Sequence, residues 1–376
     1  MKLLSIEPTP SPNTMKLNVD RKLPHGVQHE YTRERMEQAP ELIARLLAFD
    51  GVKSVFHTAD FLALERKSNA DWQAILSHAR EVFGEGQADA AVQDDGQPTE
   101  AWGEAQVYIQ MFRQIPMQVK VTAGAEQVRA ALPERFAKAA MQAGSASPNL
   151  IMERQWVEHG VRYGELKEIA EEVAQEIDAT YDDARLQQLV EQALQQGTGE
   201  PQPEPEPPVK ITMEMLDQSD WQKRYAALEK LDPTVEDLPL VVKALHDPKA
   251  SIRRLATVYL GMIGGDAVLP HLYVALKDDS ASVRRTAGDT LSDLGDPRAI
   301  PAMSEALQDP NKLVRWRAAR FLYEVGDESA LPALHAAQED PEFEVRLQIK
   351  MAMERIERGE EASGTVWQQM TRRNQS

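Results

Sequence analysis

The chain has 376 residues, 42% of them hydrophobic, with a net charge of −18 and no cysteine; the length suits about two to four domains, and the charge argues against a protein that coats DNA or an anionic membrane. The missing cysteine removes disulfides, thiolate nucleophiles and every cysteine-ligated metal or iron–sulfur site. No run reaches the roughly 20 apolar residues of a membrane span, and residues 1–6 are too short an apolar stretch for a secretion signal, so a cytoplasmic protein without a membrane partner is expected.

Two polar stretches read as linkers, the acidic 85–103 and the Pro/Glu spacer 197–208. They divide the chain into 1–84, 104–196 and 209–358, followed by a polar tail. In the first part, "MKLLSIEP" and "NTMKLNV" read as strands joined by a proline-rich ribbon. "PELIARLLAF" reads as an amphipathic helix with Pro40 at its start, and "GVKSVFHTADFLALER" as a hairpin turning at 57–60. "DWQAILSHAREVF" reads as a helix capped by Asp71. The result is a small α+β domain in which the ribbon serves edge strands, where proline is tolerated.

These residues resemble the N-terminal domain of the Nfu/NifU-type iron–sulfur scaffold proteins, through "SIEPTPSPNTMK", "LPHG" at 23–26, "GVKSVF" at 51–56, "DF" at 60–61 and "DW" at 71–72. In that family a separate Cys-x-x-Cys domain binds the cluster. This chain lacks it, so the resemblance implies a fold and a docking surface without cluster binding. Pro8, Pro12, Asn13, Met15 and Lys16 are the candidate partner contacts here.

In the middle part, "AQVYIQMFRQIPMQVKV" reads as two strands broken at Pro116 and "EQVRAALPERFAKAAMQ" as a helix bent at Pro133. Two acidic helices joined near 180–182 follow. A second α+β domain ending in a helical pair is expected. Glu153 with Arg154 and Trp156 reads as a salt bridge beside a packed indole.

The last part repeats every 31 residues: Leu238, Leu269, Ile300 and Leu331, each followed by proline; Asp247, Asp278, Asp309 and Asp340; and Arg253, Arg284, Arg315 and Arg346, each preceded by Ile or Val. Repetition at this period is the mark of stacked helical pairs, since one pair cannot bury its apolar face alone. The Asp is expected to cap the first helix, with Pro248, Pro310 and Pro341 at its first position. Gly264, Gly295 and Gly326 are expected to end it in a left-handed turn, and each Leu-Pro or Ile-Pro pair to open the second helix. Ile252, Leu255, Tyr259 and Met262 form one apolar stripe. The arginine ladder is expected to bond the capping aspartates of neighbouring units, and Trp316 to pack. The pattern resembles the HEAT-like repeats of phycobilisome-lyase proteins, most clearly in "DPNKLVRWRAARFLYEVGDESALPALHAAQED". The first and last units depart from it and read as caps.

The fold class is therefore multidomain: a small α+β Nfu N-terminal-like domain, an α+β middle domain and a C-terminal all-α HEAT-like solenoid. Together with "FRQIPMQVKV" and "NLIMERQW" this arrangement resembles the conserved virulence factor C family of Gram-positive bacteria. That resemblance implies a cytoplasmic factor affecting virulence gene expression.

The eight histidines are scattered, without His-Glu-x-x-His or another metal-ligand spacing. His57, beside a hairpin turn, is expected to be exposed. There is no glycine-rich phosphate loop and no Gly-x-Ser-x-Gly elbow. The reading is a non-enzymatic scaffold for protein partners, with no catalytic, metal or cofactor residue. Tyr273, Glu305, Gln308 and His335 on the second helices, expected to line a concave face, are further partner contacts. One alternative is an accessory factor that recognises iron–sulfur client proteins without holding a cluster. Another is a HEAT-like lyase or DNA-binding enzyme, against which the slightly acidic repeat region speaks.

Overall fold

A computed structural model describes the chain outside residues 10–12, 25–26, 68–69, 85–103, 125, 148, 150–151, 197–210 and 360–376. Both expected linkers and Pro12 thus lie outside the described residues. In chain order the elements are β1 (Leu3–Pro8), β2 (Thr14–Val19), β3 (Gln28–Thr32), α1 (Glu41–Ala48), β4 (Val52–Thr58), β5 (Phe61–Arg66) and α2 (Trp72–Phe83). Then come β6 (Glu104–Phe112), β7 (Ile115–Ala123), β8 (Glu126–Ala131), α3 (Glu134–Gly144), β9 (Gln155–Tyr163), α4 (Leu166–Thr180) and α5 (Asp183–Gln196). The repeats supply α6 (Trp221–Glu229), α7 (Leu238–Ala244), α8 (Ala250–Ile263), α9 (Leu269–Ala275), α10 (Ala281–Leu294), α11 (Ile300–Ala306), α12 (Lys312–Val325), α13 (Leu331–Ala337) and α14 (Phe343–Glu357). The described residues form two compact units, one within 1–84 with 331–359, the other within 104–330.

The first unit holds an antiparallel sheet in the order β1-β2-β5-β4-β3. Period-2 alternation in β2 sends Met15, Leu17 and Val19 inward and leaves Lys16 and Asn18 half-buried on the other face. Leu17 pairs with Leu62 and Met15 with Leu64 across the ladder. With Val55, Leu46, Leu47, Trp72 and Ile75 they form the core; burial of each such side chain is worth about 1.5–3 kcal/mol. Asp71 caps α2, its Oδ2 accepting from Ala74 N at 2.9 Å. Pro8 ends the edge strand β1 opposite Met15, at a position where proline is tolerated. The edge strand β3, "QHEYT", has no apolar alternation and escaped sequence reading. Helix α14 belongs to this unit and lays Phe343 and Leu347 against the same core. His57 is buried, not exposed: it lies opposite Leu62 in β4, with Nε2 unpaired among the described residues.

In the second unit the sheet order is β8-β7-β6-β9, all antiparallel, with α3, α4 and α5 on one face. Val107, Phe112, Ile115, Val119, Val121, Phe136 and Val173 fill the space between. The turn between β6 and β7 falls at Arg113 and Gln114, with φ of 44° and 67°, rather than at Pro116. Pro116 lies within β7, opposite Met111 at a register shift. A two-residue hairpin loop of type I′ needs positive φ at both positions, and neither residue advertises that. The expected 126–142 helix is instead strand β8 followed by α3. Proline would break a helix interior, so Pro133 sits at the cap of α3, and the residues before it pair with β7. Strand β9, "QWVEHGVRY", is a polar edge strand that hydrophobic periodicity does not reveal.

The repeats follow the expected helix pairs, with corrections at the turns. Asp247, Asp278 and Asp309 do not cap the first helix directly. Each accepts from the backbone N–H two residues on, Lys249, Ser280 and Asn311, one residue before the helix begins. Pro248 and Pro310 lie in that turn, not in the helix. Gly264 and Gly295 are left-handed, with φ of 64° and 62°, whereas Gly326 has φ of −59°. Met262 is 58% exposed and falls off the apolar stripe. The ladder forms as expected: Arg253 donates to Asp278 at 2.7 and 2.9 Å, and Arg284 to Asp309 at 2.6 and 3.0 Å. Arg224 joins it by donating to Asp247 at 2.6 and 2.9 Å, two residues short of the 31-residue register.

Two outcomes follow. Left-handed backbone costs a residue with a Cβ about 1 kcal/mol, so Gln114→Gly should raise stability by about that amount in urea unfolding of the full chain. Burial holds the His57 ring below its ordinary pKa of 6.5, with His29 and Arg21 adding to the effect. The folded state then favours the neutral ring; its contribution is present above pH 6.5 and lost as pH falls through the lowered folded value. A pH series of melting temperatures should show this slope in the native chain and a flatter one in His57→Leu.

Candidate functional site

Within the second unit, the residue after each ladder arginine points about 100° further round its helix. Tyr225, Arg254, Arg285 and Trp316 occupy this position, and all four are buried. Helix α4 packs on α6, and β9 on α10. Glu176 of α4 is the meeting point: Arg162 of β9 donates Nη2 to its Oε2 at 3.1 Å, and Arg254 of α8 donates Nη2 to its Oε1 at 3.2 Å. The Glu176 side chain is only 3% exposed. Burial alone would raise its pKa, but Arg254 and then Arg162 bring it below the usual carboxylate range. Alongside, Ser251 Oγ donates to Glu172 at 3.0 Å and Gln222 Nε2 to Asp178 at 2.9 Å.

A second cluster lies further along β9. The Arg285 guanidinium stacks 4.2 Å over the Tyr163 ring, with Nη1 2.8 Å from Asp289 Oδ1. Arg317 Nε donates to the same oxygen at 2.7 Å. Burial pushes the Tyr163 hydroxyl up to about 12, so it remains a donor. Between the clusters a cavity of about 480 Å³ opens, lined by Val161, Arg162, Tyr163, Arg254, Met262 and Asp293 among others.

The sequence-predicted contacts lie elsewhere. In the first unit, Asn13 holds Arg66: its carbonyl accepts Arg66 N at 2.9 Å and its Oδ1 accepts Nε at 3.3 Å. Arg66 lies over the Trp72 ring and donates to Glu344 of α14 at 2.6 Å, in a pair less than 10% exposed on either side. Met15 is in the core, 5% exposed, and has almost no surface for a partner. Lys16 is half-buried, with Nζ 5.0 Å from the Phe61 ring centre. His335, on α13, is exposed and 3.4 Å from Glu357. In the second unit, Tyr273 is half-buried on α9, and Glu305 and Gln308 are exposed at α11 and just after it. Glu305 pairs with Lys277 at 2.8 Å. The faces turned toward the middle sheet come from the first helices of the pairs, not the second. Glu153 pairs with Arg113 at 2.7 Å rather than with Arg154, which is exposed, and Lys120 lies 4.4 Å from the Trp156 ring centre.

Sequence reading missed Arg162, Tyr163, Glu176 and Asp289. A signal existed for their partners: Arg253-Arg254 and Arg284-Arg285 repeat as doublets, and only one arginine of each can serve the ladder. Among the described residues no group of three or more His, Asp or Glu could hold a metal ion, and no helix is long and apolar enough to cross a membrane.

Comparison with known proteins matches these parts in order. Residues 4–88 match the scaffold protein Nfu/NifU N-terminal family, 110–190 the virulence factor family, and 209–288 and 269–354 HEAT repeats. A Staphylococcus haemolyticus protein named conserved virulence factor C is 46% identical over 376 residues, covering 100% of both chains. The chain belongs to the conserved virulence factor C family. An uncharacterized Bacillus subtilis protein, YpgR, is 58% identical over 99% of this chain and 98% of its own. A crystal structure of the Staphylococcus aureus protein SAV1430 is similar at 34% identity and a TM-score of 0.21, covering 22% of this chain and 99% of that one. The fold class is accordingly multidomain, with a small α+β N-terminal domain, a strand-containing middle and HEAT-like helical repeats.

Removing one partner of a buried ion pair costs about 3–5 kcal/mol, so Glu176→Gln should lower stability by that order at neutral pH. Glu176 has a folded pKa below its ordinary 4.5. Its contribution is therefore present above pH 4.5 and is lost as pH falls through the folded value. Urea unfolding at several pH values should show native and variant chains converging in acid. Asp266→Asn, at an exposed pair with Arg298, should leave the midpoint nearly unchanged.

Proposed function

We propose that this member of the family is a non-enzymatic scaffold for protein partners, acting in the cytoplasm on virulence gene expression. The observation that carries this reading is the exposed stripe on α9 and α11. Val274 is 52% exposed beside half-buried Tyr273, with exposed Lys277, Glu305 and Gln308 next to it. The ladder consumes the repeat charges internally and holds these helices in register, leaving a surface of mixed apolar and polar character, the composition of partner interfaces. On this reading the parts 1–84, 104–196 and 209–358 are the working domains. Asn13, Lys16, Pro8 and Pro12 mark a contact region on the first, and His335 adds a contact on the last. The Nfu/NifU N-terminal match over residues 4–88 favours a second reading, recognition of iron–sulfur client proteins by a chain that has no cysteine to hold a cluster.

Tagged full-length protein, with Val274→Asp and Lys16→Glu variants, would be used to capture partners from a Gram-positive bacterial lysate for mass spectrometry. The scaffold reading expects one partner retained by the native chain and depleted about tenfold or more by Val274→Asp. Capture of several iron–sulfur enzymes, lost with Lys16→Glu, would favour the second reading. No specific partner, or one indifferent to both variants, would defeat both.

A further inference from the structure

The cavity between β9 and helices α8 and α10 is charged in an uneven way. At one end Arg162 and Arg254 share the single carboxylate of Glu176. Arg254 is 8% exposed, lines the cavity, and spends only Nη2 on that carboxylate; its Nε and the Nε of Arg162 are buried without a partner. Buried guanidinium donors left unmade are costly and rare. Tyr163 also lines the cavity, its ring beneath the Arg285 guanidinium of α10. This end therefore sets two guanidinium groups against the one carboxylate they pair with, the charge complement of a further carboxylate.

The other end lies on α10. Asp289 is committed, since Arg285 and Arg317 both reach it. Asp293, one turn further along, lines the cavity and has no ion pair among the described residues. The residue keeps surface open to solvent while the cavity wall desolvates its carboxyl, and that burial raises its pKa; Arg317 opposes the shift, and Asp289 and Glu324 add to it. An ammonium group would supply the missing counter-charge. Val161, Val258 and the exposed Met262 form an apolar wall between the two ends. The volume of about 480 Å³ falls in the roughly 300–1,000 Å³ range of small-molecule sites.

We propose that this cavity binds a small zwitterion bearing one carboxylate and one ammonium group, the chemistry of a free amino acid. Arg254 and Arg162 hold the carboxylate, Asp293 holds the ammonium, and Met262 sits at the mouth. The site is independent of the scaffold reading, and either can fail without the other.

Calorimetric titration of the full chain with a panel of free amino acids, with propionate as carboxylate alone and propylamine as ammonium alone, tests this. At least one amino acid should bind and raise the melting temperature, with both half-ligands about tenfold or more weaker. Asp293→Asn should weaken that amino acid about tenfold or more while leaving propionate unchanged, and Met262→Trp should block both. Neither variant touches the Glu176 pairs, and unliganded melting curves check that both fold. The proposal is overturned if no amino acid binds, if propionate binds as tightly as the best amino acid, or if affinity is unchanged in both variants.

Discussion

In the second unit a sheet domain and a helical array share one buried carboxylate. Glu176 reaches out of the hydrophobic face of α4, between Ile169, Val173 and Ile177, and would be prohibitively costly there without partners. Arg162 from the edge strand and Arg254 from the array meet it from two sides. The attraction has to offset the desolvation of three charges, so the pair is weak evidence for net stability. Its effect is geometric. A carboxylate with two fixed donors leaves β9, α4 and α8 few alternative registers, and the neighbouring cavity inherits its shape from that restriction.

The repeats solve a different problem with the same chemistry. Arg224, Arg253 and Arg284 each bond a carboxylate in the following unit with two nitrogens and turn the third to two carbonyls in their own turn, as Arg253 does to Asp247 and Pro248. Each aspartate also satisfies a backbone N–H in the turn just before its own helix. Units are therefore stapled through polar groups that would otherwise be orphaned at helix ends. Close approach of the first helices adds to this. A Cβ on Gly261 would lie 2.8 Å from Thr290 Cγ2, so α8 and α10 approach closely enough that a larger residue would force the Thr290 side chain to move.

In the first unit the proline-rich ribbon has a structural task. Asn13, at its end, receives both the backbone and the side chain of Arg66, and Arg66 carries the pair to Glu344. Helix α14 lays Phe343 and Leu347 on the same core, so residues far apart in the chain share one hydrophobic cluster.

Periodicity was legible wherever one face of an element is buried. The alternation of β2, the 31-residue register and the Leu-Pro helix starts were all readable, because burial of a repeating face imposes its period on the sequence. Composition likewise removed cysteine chemistry. What the sequence could not decide was where polar residues meet. Strands β3 and β9 are polar edges without a period, His57 looked like a turn residue, and the Arg113–Gln114 turn uses residues that only tertiary support, through Glu153 and the Ala193 carbonyl, keeps left-handed. The second arginine of each doublet went unread. Arg254 finds Glu176 78 residues upstream and Arg285 stacks on Tyr163 of β9, and contacts across such separations leave no local pattern; only the packing of sheet on helices brings those groups together and opens the cavity beside them.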